Sequence, residues 1–216
     1  MGSSGTKIVV DLFFIHATLG TAVLSWWFLT KKKAVLKDFG WGMLGYTLGL
    51  AAWTAVVLIR PTDLKPLILV GVVPFLLGSL AYAKAASDKF PVKASTLIWL
   101  VAVLIAATFI ARTFFYPSDP YFSSKGLLFF GLKPVPIALY IATLSVSFLP
   151  AIRAAASAIK DKAMKSVMGI GLMVLYINAI ILVSANDNTL LLINGVVLSL
   201  ALLMLWVKAL SSPATT

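Results

Sequence analysis

The chain has 216 residues, of which 61% are hydrophobic and 12% charged; its formal net charge is +11, and cysteine, glutamate and glutamine are absent. A soluble domain is roughly half apolar and about a quarter charged, so water cannot be the solvent for much of this surface, and lipid takes its place. The missing cysteine excludes disulfides, thiolate metal ligands, iron–sulfur clusters and a thiol nucleophile.

Seven apolar stretches reach the ~20 residues that cross a ~30 Å hydrocarbon layer. The first is Ile8–Thr30, which holds the only histidine, His16, and the most deeply placed acid, Asp11. Its strong positive charge follows the apolar run instead of preceding it, the reverse of a cleaved signal peptide. The second stretch is Trp41–Arg60, the third Pro66–Ala86 and the fourth Ala94–Phe115. The segment Tyr116–Gly126, with two prolines and polar turn residues, is expected to be an exposed loop. The fifth stretch is Leu127–Pro150, starting slightly later if Lys133 and Pro134 stay out of it. The sixth is Met164–Ala185 and the seventh Thr189–Leu210. Backbone groups in lipid must bond within their own segment, so the stretches are helices. The polar tails MGSSGTK and SSPATT are expected to be mobile. The expected fold is all-α: one membrane domain, residues 1–216, forming a seven-helix bundle.

Lysine placement orients the bundle. Lys31, Lys32, Lys33, Lys37, Lys84, Lys89, Lys93, Arg153, Lys160, Lys162, Lys165 and Lys208 fall on one side, and Lys7, Arg60, Lys65, Arg112, Lys125 and Lys133 on the other. Cytoplasmic segments attract the basic excess, which predicts an outer N-terminus, a cytoplasmic C-terminus and a multi-pass protein of the cell membrane. Basic residues in short blocks between apolar runs fit anionic headgroups, and no soluble basic face exists to carry nucleic acid.

Leu67–Ser87 aligns without gaps on Leu191–Ser211: Gly71-Val72-Val73 falls on Gly195-Val196-Val197, Tyr82 on Trp206 and Lys84 on Lys208. Ala17-Thr18-Leu19 has a counterpart in Ala142-Thr143-Leu144. Three helices, one linking helix and three more would make a 3+1+3 parallel repeat. This layout resembles that of the SWEET sugar transporters and of the microbial rhodopsins. The SWEET-related family carries a Pro-Gln motif, and this chain has no glutamine. Rhodopsins hold retinal on a lysine midway along the seventh helix, whereas Lys208 is at the inner end. The resemblance therefore concerns layout alone.

Ionisable groups inside lipid are costly and point to function. His16, Thr54, Asn178 and Asn194 fall in the outer half, with Asp11 and Arg112 shallower and level enough to pair; together they form a candidate polar pocket. The competing reading is interhelical hydrogen bonding. Asp11, Thr18 and Ser25 share one face of the first helix, while His16 shares another with Gly20, Val23 and Trp27. The first stripe lines a wet path or faces neighbouring helices, and in either case is expected to be buried in protein. Gly42, Gly45, Gly49 and Ala52 make a small-residue stripe for close helix packing. Pro74 and Pro136 are expected to bend the third and fifth helices.

A lone histidine leaves haem only His16 with methionine, lysine, water or a partner's ligand, so no cofactor is expected beyond bound lipid. Asp11 and His16 point away from each other, which disfavours a Ser-His-Asp set, and no metal-binding set stands out. The leading expectation is a non-catalytic integral subunit of a larger membrane assembly, such as an energy-transducing or electron-transfer complex, associated with other membrane subunits or with itself. The alternative is a small-solute transporter or channel using the outer polar groups.

Overall fold

A computed structural model describes residues 4–87 and 93–211. Its helices are α1 (Ser4–Leu29), α2 (Ala34–Ile59), α3 (Lys65–Ser87), α4 (Ala94–Ile110), α5 (Pro134–Ala158), α6 (Lys162–Ser184) and α7 (Asn188–Ser211). Seven helical segments are long and apolar enough to cross a membrane, the fourth being α4 with its continuation to Phe115. The protein is thus an all-α seven-helix bundle. Lys89 and the outermost residues of both polar tails lie outside the described residues.

Three boundaries differ from the sequence reading. Helix α1 takes in Ser4–Lys7, part of the expected tail. Helix α2 begins at Ala34, two turns before Trp41, because the polar pair Lys37–Asp38 sits within it: Asp38 is bound to Lys84 of α3 at 2.9 Å. Helix α5 spans Pro134–Ala158, taking the later start that Lys133 and Pro134 allowed and continuing beyond the expected end at Pro150 to Ala158. Leu127–Phe130 are not its first turn, because Gly126 and Gly131 adopt positive φ and bracket them. Leu128–Phe129 instead pair antiparallel with Tyr121–Phe122 in a short hairpin, β1 and β2. Pro134 then opens α5, where a missing N–H costs nothing. Pro136 falls in the same first turn and bends no helix interior; Pro150 is the proline deep within α5.

Six helices close a ring. Each of α1, α2, α3, α5, α6 and α7 packs on its neighbours in that order, and α7 returns to α1. Helix α4 stands outside, against α3 and α5. It has the least buried span, 28% against 56% for α2. Trp99 and Val103 of α4, with Phe114 and Phe115 of its continuation, are exposed on the outer surface of the bundle.

The tightest seam joins α2 and α3. A Cβ on Gly45 would lie 2.6 Å from the Pro74 carbonyl oxygen and 2.7 Å from Gly78 Cα. One on Gly49 would meet the Gly71 carbonyl oxygen at 2.7 Å, and Gly42 lies against the Tyr82 ring. Ala52, the last of that stripe, is half-buried. Phe28, Phe39, Tyr82 and Phe148 form an aromatic chain from α1 through α2 and α3 to α5, with successive centroid spacings of 4.5–5.1 Å. Trp53 lies on Gly71, donates its indole N–H to the Ile68 carbonyl at 3.2 Å, and is fully buried.

The hairpin is fastened by Arg60. This residue caps α2 in the left-handed conformation, φ 52°. Its guanidinium donates to the Gly126 carbonyl at 3.2 Å, lies 4.9 Å from the Phe122 ring centroid and pairs with Asp11 at 3.6 Å. Replacing Arg60 by alanine is expected to lower stability by about 2 kcal/mol, by losing a charged hydrogen bond and leaving Asp11 unpaired. Arg60→Gly should cost about 1 kcal/mol less, since glycine is at ease at this φ. Thermal unfolding in detergent checks both.

Candidate functional site

The two polar faces of α1 dock on different helices. Asp11, Thr18 and Ser25 all meet α2 or its cap: Asp11 through Arg60, Thr18 through the Thr54 hydroxyl 2.7 Å away, and Ser25 by donating to the Gly40 carbonyl at 3.0 Å. The His16 face meets α7. His16 Nε2 lies 3.3 Å from the Ser199 carbonyl, its ring is 5.4 Å from that of Trp206, and the Trp206 indole donates to the Gly20 carbonyl at 3.0 Å.

The six polar residues therefore do not converge. Asp11 pairs with Arg60, not with Arg112. Arg112 is held across the bundle on a π-helical turn (Ala111–Phe115), where it donates to Ser118 Oγ at 3.1 and 3.3 Å. The reason is placement: α4 touches α3 and α5, whereas α1 lies between α2 and α7. Thr54 is spent on Thr18 and on the Leu50 carbonyl, 2.8 Å away.

Asn178 and Asn194 do come together. Both line a cavity at the hairpin end, with Val10, Phe13, Leu50 and Leu128. It offers about 50 Å³ to the centre of a water-sized sphere, room for a few waters at ~10–15 Å³ each. Leu127 and Leu128 of the hairpin line it on that side. At its side, Tyr46 donates to Asn178 Oδ1 at 3.4 Å, bridging α2 to α6 across the ring.

A second and larger cavity, about 260 Å³, opens at the other end of the same ring. The end of α1 gives it Trp27 and Lys31, α2 Leu36, the α5–α6 link Ile159, Lys160 and Asp161, and α7 Lys208. Asp161 caps α6 by accepting the Met164 N–H. Lys31 is only 3% exposed, and its ammonium lies 4.1 Å over the Trp27 ring. Burial pushes the pKa of Lys31 down from the ordinary lysine value. At the hairpin end, a hydrogen bond and ion pair with Lys65 hold the Asp119 carboxyl below the usual carboxylate range.

The sequence reading treated the lysine run 31–33 as one orienting block and so missed this cavity. The available signal was Trp27 four residues before Lys31, a spacing that brings ring and ammonium together. Between the cavities, Leu24, Met43, Met168, Leu172, Leu202 and Leu205 are fully buried. From Ala17 to Trp27 this septum spans roughly 15 Å of helix, and its buried hydroxyls, Thr21 and Ser25, are bonded to backbone carbonyls.

No group of three His, Cys, Asp or Glu fit to hold a metal ion occurs among the described residues. The apolar helices and their lipid-facing side chains define a multi-pass helical membrane protein. Comparison with protein-family models, with curated proteins and with solved structures gives no match for this chain.

Proposed function

We propose that the chain is a small-solute transporter whose path runs between the α1–α2 and α6–α7 sides of the ring. One observation carries this reading: two cavities occupy opposite ends of one ring of helices, with a septum of fully buried side chains between them. A rocking motion that thins the septum from one end, then the other, would give alternating access.

The helix neighbours support a 3+1+3 organisation in the same proposal. A twofold exchange of α1–α2–α3 with α5–α6–α7 turns the pair α1/α2 into α5/α6, α2/α3 into α6/α7, and α3/α5 into α7/α1. All six pairs are packed, and α4 is left outside as the link. The lysine-rich end faces the cytoplasm in this reading, and the membrane is the cell membrane.

The test is uptake by proteoliposomes of orthophosphate, succinate, glucose and alanine. Saturable uptake of at least one solute is expected. The variant Asn178→Leu with Asn194→Leu should cut it at least about tenfold while eluting as a folded protein, because the outer cavity loses its polar groups. Uptake unchanged by both substitutions, or no uptake by folded wild type, would overturn the reading.

One observation favours the second reading, a non-catalytic subunit of a larger membrane assembly: α4 stands outside the ring with Trp99 and Phe114 more than 70% exposed. Under that reading Trp99→Ala with Phe114→Ala releases the chain from its assembly in native gels and leaves the ring folded.

A further inference from the structure

We infer that the cavity at the lysine-rich end is a binding site for a phosphate group, carried by a small soluble phosphate or by an anionic lipid headgroup. Among the described residues, Lys31, Lys160 and Lys208 line it with a single carboxylate, Asp161, a net side-chain charge of about +2 that matches a phosphate monoester at roughly −1.5 to −2. The helix ends around it are three C-termini (α1, α5, α7) and two N-termini (α2, α6). Together they leave only about half a negative charge, so the lysine excess survives. The cavity is far larger than the ~10–15 Å³ one water needs.

Orientation and helix-end duties are already met by other lysines. Lys32 and Lys37 are exposed. Lys33 donates to the Ala158 carbonyl at the end of α5, a normal role for a lysine at a helix C-terminus. Lys84 is paired with Asp38. Lys31 differs because it turns inward, buried over Trp27, and among the described residues no carboxylate stands within ion-pair distance of it. A lysine is a compact charge with three rotatable donors and meets phosphate as a point charge. Basic pockets between membrane helices on the cytoplasmic side are suited to phosphate headgroups. The apolar walls, Leu36, Ile159 and Met164, lower the local dielectric and strengthen the contact.

The full chain is purified in detergent and titrated calorimetrically with inorganic phosphate at constant ionic strength. In parallel it is released from phosphatidylcholine nanodiscs, with and without phosphatidic acid, into a native mass spectrometer. Saturable one-to-one binding is expected in at least one arm. Binding of inorganic phosphate assigns the soluble source, and retention of phosphatidic acid alone assigns the lipid. Lys31→Met should weaken binding at least about tenfold, Lys31→Arg should restore it, and the exposed neighbour Lys32→Met should leave it unchanged. If Lys31→Met does not fold, Lys208→Met serves the same comparison. Absence of saturable binding in both arms overturns the proposal, as do equal losses from Lys31→Met and Lys32→Met. These equilibrium readouts are separate from flux: a chain that moves solute but binds neither probe loses the site alone. One that binds phosphate and moves nothing keeps the site and loses the transport reading.

Discussion

Gly45→Leu should leave a chain that enters the membrane but cannot hold α3 against α2. A side chain at position 45 starts within 2.6–2.7 Å of the Pro74 carbonyl and Gly78 Cα, which are backbone atoms and cannot rotate away. The helices must part, and Gly42 on Tyr82 and Gly49 on Gly71 lose their fit along the same seam. A cost of at least about 3 kcal/mol is expected, the upper part of the range for overpacking. Gly45→Ala should still be clearly destabilising. Gly169→Ala provides the contrast: a Cβ there meets nothing within 4 Å, so the better helix former should gain up to about 1 kcal/mol. Thermal unfolding of the purified variants measures all three. Equal effects at positions 45 and 169 would show that backbone contact does not hold this seam.

The second large effect is expected at the septum. Leu172 and Leu202 are fully buried between the two cavities. Truncating a buried leucine to alanine costs about 2–5 kcal/mol, and the space left behind persists because neighbours relax only partly. In the double variant Leu172→Ala with Leu202→Ala that space lies between two cavities that already hold polar groups, Asn178 and Asn194 on one side, Lys31 and Lys208 on the other. Under the transport proposal, proteoliposomes of this variant leak protons, read by an entrapped pH dye, while wild-type vesicles stay tight. A destabilised but tight variant would mean that the two cavities are not halves of one route.

Much of this architecture was legible in the order of residues, because lipid imposes a length on each span. The seven-residue spacing of Asp11, Thr18 and Ser25 marked the face of α1 that meets α2, and the offset of His16 marked the one that meets α7. Partner choice was less legible. Asp11 and Arg112 were level in depth, yet depth carries no information about position around the ring, and Arg60 at the cap of α2 was nearer. Leu127–Phe130 looked like the start of a helix because apolar composition is shared by a helix turn and a buried strand. The paired glycines at 126 and 131, together with Lys133 and Pro134, distinguish them. Lys31 was harder to single out: helical phase ends at Leu29, and only the four-residue spacing from Trp27 distinguishes it from the two lysines that follow.

The ring is closed by its last member. Until α7 leaves the ribosome, His16, Gly20 and the inner side of α1 have no protein neighbour on that side, although α1, α2 and α3 can already assemble. A nascent chain thus waits through three further insertions, those of α4, α5 and α6, with a polar histidine facing acyl chains, at a cost only the final segment relieves. Frameshifts or stops late in the message should therefore be as damaging as early ones. They leave a bundle of six helices whose open flank quality-control proteases can seize.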